Sequence, residues 1–243
     1  MMENILEIKN LDKTFGKETV LKNINLSLKK NAVVSLLGAS GSGKTTLLKI
    51  IAGLEHQNNG EIFLNGKEIS NIKPQRRNIV YLYQEALLFP HLNAFENVAF
   101  GLRLRKTPEK DVKQKVMQML EYLGMPNHAT KMANQLSGGQ RQRISFGRAM
   151  IIEPSLLLLD EPFGALDSTT RQKMQELFKE LAKTMQLSAL FVTHDLKEAI
   201  VMGDSIGKIM KGHLKQHSDL REFYEDEESG VKKEVEFWKQ FIN

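Results

Sequence analysis

The chain has 243 residues, 41% apolar and 26% charged, a balance that excludes wholesale disorder and supplies ample material for a core. It contains no cysteine, which excludes disulfides, thiolate metal sites and cysteine nucleophiles. The net charge of +5 permits contact with nucleic acid, anionic lipid or nucleotide and selects none of them.

The N-terminus lacks a basic segment followed by a long apolar run, so no signal peptide is expected. No stretch approaches the roughly 18 apolar residues that cross a bilayer. Leu6 and Ile8, then Ile24, Leu26 and Leu28, alternate at period two with Gly16 between the runs, which predicts an antiparallel β region. Val33–Leu37 reads as a buried strand that runs into a glycine-rich turn. A helix is predicted over Lys44–Ala52, with Gly53 to end it. Ile62 and Leu64 precede Asn65-Gly66, a hairpin signal, and another strand is predicted at Ile79–Tyr83.

From about Ala94 to Ile152 the reading changes to helix. Val112, Val116, Met119, Leu120 and Leu123 form one apolar face, closed by Gly124 and Pro126. Leu156–Leu159 and Ala189–Val192 read as buried strands around a long amphipathic helix over about Thr169–Met185. Asp195 can cap a short helix, and Ile206–Met210 with Leu214 form a hairpin around Lys211-Gly212. Asp219 to Glu228 is mostly acidic, and Val231, Val235, Trp238 and Ile242 then repeat at helical spacing.

Buried strands alternating with helices predict an α/β fold with a parallel sheet. We expect one composite domain over 1–243. Its core and antiparallel β part cover about 1–84 and 153–216, a helical insertion about 85–152, and a helical tail about 217–243.

Gly38-Ala39-Ser40-Gly41-Ser42-Gly43-Lys44-Thr45 matches the P-loop pattern, between a buried strand and a helix that begins at Lys44 and Thr46 extends. Its glycines let successive N–H groups turn toward phosphate oxygens, and the helix N-terminus adds positive potential. In that pattern Lys44 is placed to reach the β and γ phosphates of a nucleotide, and the Thr45 hydroxyl to ligate Mg²⁺. Asp160, at the end of the Leu156–Leu159 strand, is placed to hold the metal, and Glu161 beside it to act as general base. No Asn-Lys-x-Asp segment, the guanine-reading motif of GTPases, occurs in the chain. Leu136-Ser137-Gly138-Gly139-Gln140 stands before a helix expected to begin near Arg141. Ser137 can cap that helix, and the glycines expose N–H groups, which makes a second anion site.

Taken in order, these segments resemble the ATP-binding cassette family of transport ATPases over about residues 4–216. The resemblance implies a P-loop NTPase (RecA-like) core with an N-terminal antiparallel β subdomain and an inserted α-helical signature subdomain. Gln84 resembles the glutamine that senses Mg²⁺ and water. Ala165-Leu166-Asp167 resembles the D-loop, His194 the switch histidine at the γ phosphate, and Phe15 the aromatic that stacks on adenine. The Ser137 segment of one subunit is then expected to meet the P-loop nucleotide of the other, with two ATP molecules sandwiched in a head-to-tail dimer of ATPase subunits.

Glu85 to Leu92, Glu96 to Arg103 and Glu161 to Asp167 look like the ATPase subunits of binding-protein-dependent importers of small solutes. The implied partners are a second ATPase subunit (a homodimer is expected), a separate integral membrane permease and a solute-binding protein. Nucleic acid is not expected as a partner. The expected location is cytoplasmic, on the inner face of the membrane through the permease. The apolar cluster Leu87, Leu88, Phe89 and Leu92 suits a groove for the permease, with internal packing of the helical part as the other reading. Gly207 and Gln216 depart from the family pattern, and the chain ends before the β-rich regulatory domain of many sugar and polyamine importers, so that regulation is not expected. An export or lipid-transport ATPase shares every catalytic motif, and only residues 85–103 weigh against it. A soluble cassette protein acting on ribosomes or DNA is a further alternative, and a catalytically dead cassette, against which the intact Lys44, Asp160, Glu161 and His194 count, is the last.

Overall fold

A computed structural model describes residues 3–239. The chain opens with two twelve-residue strands, β1 (Asn4–Phe15) and β2 (Glu18–Lys29), then β3 (Val33–Leu37), helix α1 (Lys44–Ala52), β4 (Asn59–Leu64), β5 (Lys67–Glu68) and β6 (Ile79–Leu82). Helices α2 (Ala94–Leu104), α3 (Glu109–Tyr122) and α4 (Gly138–Met150) follow, then β7 (Leu156–Asp160), α5 (Ser168–Thr184), β8 (Ala189–Thr193) and α6 (Leu196–Met202). Strands β9 (Ser205–Met210) and β10 (His213–His217) lead into α7 (Leu220–Glu225) and α8 (Val231–Lys239).

The chain divides into two compact units, residues up to 77 together with 188 onward, and residues 78–187. The first unit holds an antiparallel sheet in the order β2-β1-β4-β5, and the strands β10-β9-β3-β8 of a mainly parallel sheet. In the parallel part, Val33 pairs with Ala189 and Leu37 with Thr193. All five residues of β3 and all five of β8 are buried, as the unbroken apolar runs required. Asn65 and Gly66 both take left-handed conformations in the β4–β5 turn, as a tight hairpin demands. Gly207 is small for a reason: a Cβ there would stand 2.8 Å from Leu36 Cδ2 and 2.9 Å from Leu214 Cδ1. Gln216, on β10, hydrogen-bonds the backbone of Ser27 on β2 in both directions, accepting from its N–H at 3.0 Å and donating to its carbonyl at 2.7 Å.

The acidic segment after residue 217, expected as part of a helical tail, forms α7 and packs against the core of its unit. Phe223 of α7 and Val231 pack in one apolar cluster with Leu37, Ala199 and Ile206. His217 is buried, with Nε2 2.7 Å from Asp226 Oδ2, and Lys215 meets the same carboxylate oxygen at 2.9 Å. Helix α8 matches the helical spacing at the C-terminus, while Ile242 lies outside the described residues.

The second unit pairs β6 with β7 in parallel, Ile79 opposite Leu156 and Leu82 opposite Leu159. It therefore carries two strands besides the helices expected over 85–152. Val112, Val116, Met119, Leu120 and Leu123 are all buried, as their spacing predicts. Helix α4 starts at Gly138, three residues before the expected Arg141, because Ser137 and Gln140 form a reciprocal capping box that holds the first turn.

Candidate functional site

In the first unit, the turn from Gly38 to Gly43 joins β3 to α1. Gly41 and Gly43 have φ of +77° and +99°, conformations that favour glycine. A Cβ at Gly38 would lie 2.6 Å from Ser42 Oγ and 2.8 Å from the Ile209 carbonyl, and one at Gly43 2.7 Å from Leu21 Cδ2. At Gly38 and Gly43 the loop has no room for a side chain, whereas a Cβ at Gly41 would meet nothing within 4 Å. Ser42 Oγ is buried and makes no hydrogen bond. Lys44 is buried, and its Nζ donates to the Gly38 and Ala39 carbonyls at 2.8 Å each. Gly43 caps α1 without a side-chain hydrogen bond, so the helix start is open to an external anion. Thr45 follows on the exposed side of the first turn, with Thr46 beside it, while Ala39 and Ser40 are exposed on the loop. A narrow cradle, a buried orphan hydroxyl and an open helix start fit a phosphate chain.

His194 lies next to this loop in the same unit, since the Gly38 N–H donates to the Thr193 carbonyl at 3.3 Å. Its neighbours are fixed. Thr193 Oγ1 donates to Glu198 and accepts from the Asp195 N–H, and Asp195 caps α6 through the Glu198 N–H. His194 itself is exposed. Phe15, at the end of β1, is 46% exposed.

In the second unit, Asp160 ends β7 and Glu161 follows it, both half-buried. Glu161 has φ +46°, a left-handed conformation uncommon for a glutamate. Its carbonyl accepts from the Gly164 N–H at 3.0 Å, closing a tight turn. A Cβ at Gly164 would meet Gln84 Nε2 at 2.7 Å, so Gln84 lies directly on the turn that carries Glu161. Asp167 caps α5 by accepting from the Thr170 N–H at 3.0 Å, and hydrogen bonding from the Thr170 side chain first, and from its N–H second, holds the carboxyl below the usual carboxylate range. Ser137 accepts from Gln140 N at 3.3 Å while Gln140 Oε1 accepts from Ser137 N at 3.0 Å. A Cβ at Gly139 would press on Thr170 Cγ2 at 2.7 Å, whereas Gly138 faces open space.

A family model described as ABC transporter matches residues 21–164, more than half of the chain. The chain belongs to the ABC transporter family. Its α/β architecture, with an antiparallel sheet beside parallel strands, is that of the family's P-loop NTPase fold. This ABC protein is 47% identical over 229 residues to the spermidine/putrescine import ATP-binding protein PotA of Borreliella afzelii, covering 93% of this chain and 66% of that protein. The namesake of Clostridioides difficile is 44% identical over 226 residues, 93% of this chain and 65% of that one. That of Haemophilus influenzae is 42% identical over 222 residues, 91% and 60%. The chain thus spans 60–66% of the length of these relatives.

Three further residues of this ABC protein shape the site and escape a motif reading. The Tyr81 hydroxyl donates to Asp160 Oδ2 at 2.6 Å. Burial, then the hydrogen bond and charge of Asp160, push the Tyr81 hydroxyl far above its usual range, so it remains a donor. Strand period would have found it. Tyr81 opposes Leu158, and Asp160 lies two residues on, along the same face. Asn97 is buried and ties the bend ahead of α2, donating to the Phe89, Leu92 and Asn93 carbonyls and accepting from the Phe89 N–H. Arg148, near the end of α4, donates to the Leu87 carbonyl at 2.6 Å and lies 5.1 Å from the Phe89 ring centroid. Of the expected apolar cluster, Leu87 is exposed, while Leu88, Phe89 and Leu92 are half-buried. The cluster is thus partly packed and partly offered to solvent. Among the described residues no helix is long and apolar enough to cross a membrane.

Proposed function

We propose that this chain is the ATP-hydrolysing subunit of a binding-protein-dependent importer, and that the imported solute is a polyamine. The observation that carries the ATPase reading is the Gly38–Lys44 cradle, with its open helix start and orphan Ser42 hydroxyl. The names of relatives 42–47% identical along nearly the whole chain support import, and spermidine or putrescine as the class of solute.

The loop amides and Lys44 bind the phosphates of ATP, and Phe15 supplies the stacking surface for its adenine. Thr45, Asp160 and Gln84 would hold Mg²⁺, which would neutralise phosphate charge. Glu161 accepts a proton from the attacking water, with Gln84 orienting that water. His194 donates to the γ phosphate as charge develops there. Ser137, Gly138, Gly139 and Gln140 of a second copy close over the nucleotide, with Asp167 at the seam. Nucleotide binding therefore favours the closed dimer, and hydrolysis removes the bridging charge. A permease docks by Leu87 and the residues around it and places the subunit on the inner face of the membrane. A solute-binding protein completes the system.

The test is uptake of radiolabelled spermidine and putrescine by cells that lack their own polyamine importer and express this chain with its permease and binding protein. Uptake with the native chain and none with Lys44→Ala is the expected result. ATP hydrolysis without uptake of either polyamine would reject the solute assignment and leave the ATPase reading standing.

A further inference from the structure

Lys13 sits on β1 two residues before Phe15, and its long side chain is almost wholly buried. Its Nζ donates to Glu55 Oε1 at 2.9 Å and to the His56 carbonyl at 2.7 Å, and stands 4.4 Å from the centroid of the Phe15 ring. Glu55 and His56 stand three and four residues beyond Ala52, the last residue of α1, whose first residue is Lys44. One ammonium group therefore joins the exposed aromatic at the end of β1 to the far end of the P-loop helix. The Lys13 hydrogen bond is the main cause that holds the Glu55 carboxyl below its usual range.

We infer that Lys13 is a positioning residue for the Phe15 ring, fixing its tilt and occupying one face so that the other is presented to a nucleobase. This inference rests on the nucleotide reading above. A phenyl ring at an exposed strand end has two free torsions and no polar atom to anchor it. A cation centred near one face restrains both torsions through the ring quadrupole. An apolar residue would fill the space beneath the ring without the directional hold. The strength of the hold comes from the two acceptors that fix the ammonium, because a buried charge stays where its partners are. Lys9 provides an internal contrast. Its Nζ lies 4.9 Å from the Phe63 ring, but it is over half exposed and reaches Glu7 only at 3.8 Å.

The experiment is calorimetric titration of the purified chain with ATP and with inorganic tripolyphosphate, which has the phosphates and no base. Lys13→Met is expected to weaken ATP binding about three- to tenfold and to change tripolyphosphate binding less than about twofold. Glu55→Gln, a change at the partly exposed partner that folding tolerates, should give a smaller loss in the same sense. Lys9→Met should change neither ligand. In a Phe15→Leu background, Lys13→Met should cost nothing further, because the residue it acts through is gone. Equal losses for both ligands would make Lys13 a support of the helix end and overturn the inference. So would a full Lys13→Met effect without Phe15, or unchanged ATP affinity in both Lys13→Met and Glu55→Gln. A native chain that binds neither ligand would fail the nucleotide reading itself, and the inference with it.

Discussion

The Tyr81 hydroxyl donates a 2.6 Å hydrogen bond to Asp160 Oδ2, joining neighbouring parallel strands across 79 residues of sequence. A short bond from a phenol to a carboxylate is among the stronger kinds, and here it fixes the orientation of the proposed metal-holding group. Tyr81→Phe should raise the Mg²⁺ concentration for half-maximal ATP hydrolysis about two- to tenfold and lower stability by about 1–2 kcal/mol. A Mg²⁺ titration of steady-state hydrolysis beside a thermal melt checks both. An unchanged Mg²⁺ requirement would make the bond purely structural.

Glu161 combines a general-base assignment with a left-handed backbone at φ +46°. Glu161→Gln keeps the shape and removes the basicity. It should slow hydrolysis about 10²–10⁴-fold while ATP binding stays within a few-fold of native. Single-turnover hydrolysis and equilibrium nucleotide binding, measured on one preparation, separate the two effects. Near-native turnover would assign the base elsewhere.

Gly43 has φ +99° and no space for a side chain between Leu21 and Val20. Gly43→Ala therefore incurs both backbone strain and a clash. We expect a loss of about 1–3 kcal/mol in stability and at least a tenfold fall in nucleotide affinity. Gly66→Ala is the control: its φ of +71° carries strain, but a Cβ there meets nothing within 4 Å. That variant should destabilise without loss of nucleotide affinity in the folded protein. Calorimetric titration of both variants provides the comparison.

The Asp226 carboxyl is held down at about 2, first by the Lys215 hydrogen bond and then by that of His217. A carboxyl whose folded value is depressed stabilises the fold above its unfolded value near 3.9 and loses that contribution as pH falls through the folded value. The stability difference between native protein and Asp226→Asn should be full at pH 5–7 and shrink between about pH 4 and 2. Denaturant melts at several pH values measure it. A difference that does not change with pH would exclude the carboxylate as its source.

Where chemistry and fold share a local pattern, the amino-acid order was readable. The P-loop, the acid pair after β7 and the Ser137 cap each depend on residues a few positions apart, and so do the buried runs of β3 and β8. Arg148 and Lys13 were not readable, because the partner of Arg148 stands far off in the chain and that of Lys13 requires knowing that the end of α1 returns beneath β1, while Tyr81 becomes readable by strand period once β6 is paired with β7. The tail was legible as helical but its partners were not: an acidic run does not show that Asp226 hydrogen-bonds the buried His217 or that Phe223 belongs to the core. The helix beginning at Gly138 preceded its expected start because glycine's low helix propensity was outweighed by two reciprocal caps.

Gln216 bears on a hazard that every sheet protein faces during synthesis. Strand β2 ends one sheet and β10 ends the other, and each would offer unpaired amides and carbonyls to a neighbouring chain. The carboxamide of Gln216 acts as one rung of a ladder between them, engaging both the N–H and the carbonyl of Ser27. Two sticky borders of one unit are thereby stitched to each other, which removes at that point a template for strand-by-strand aggregation.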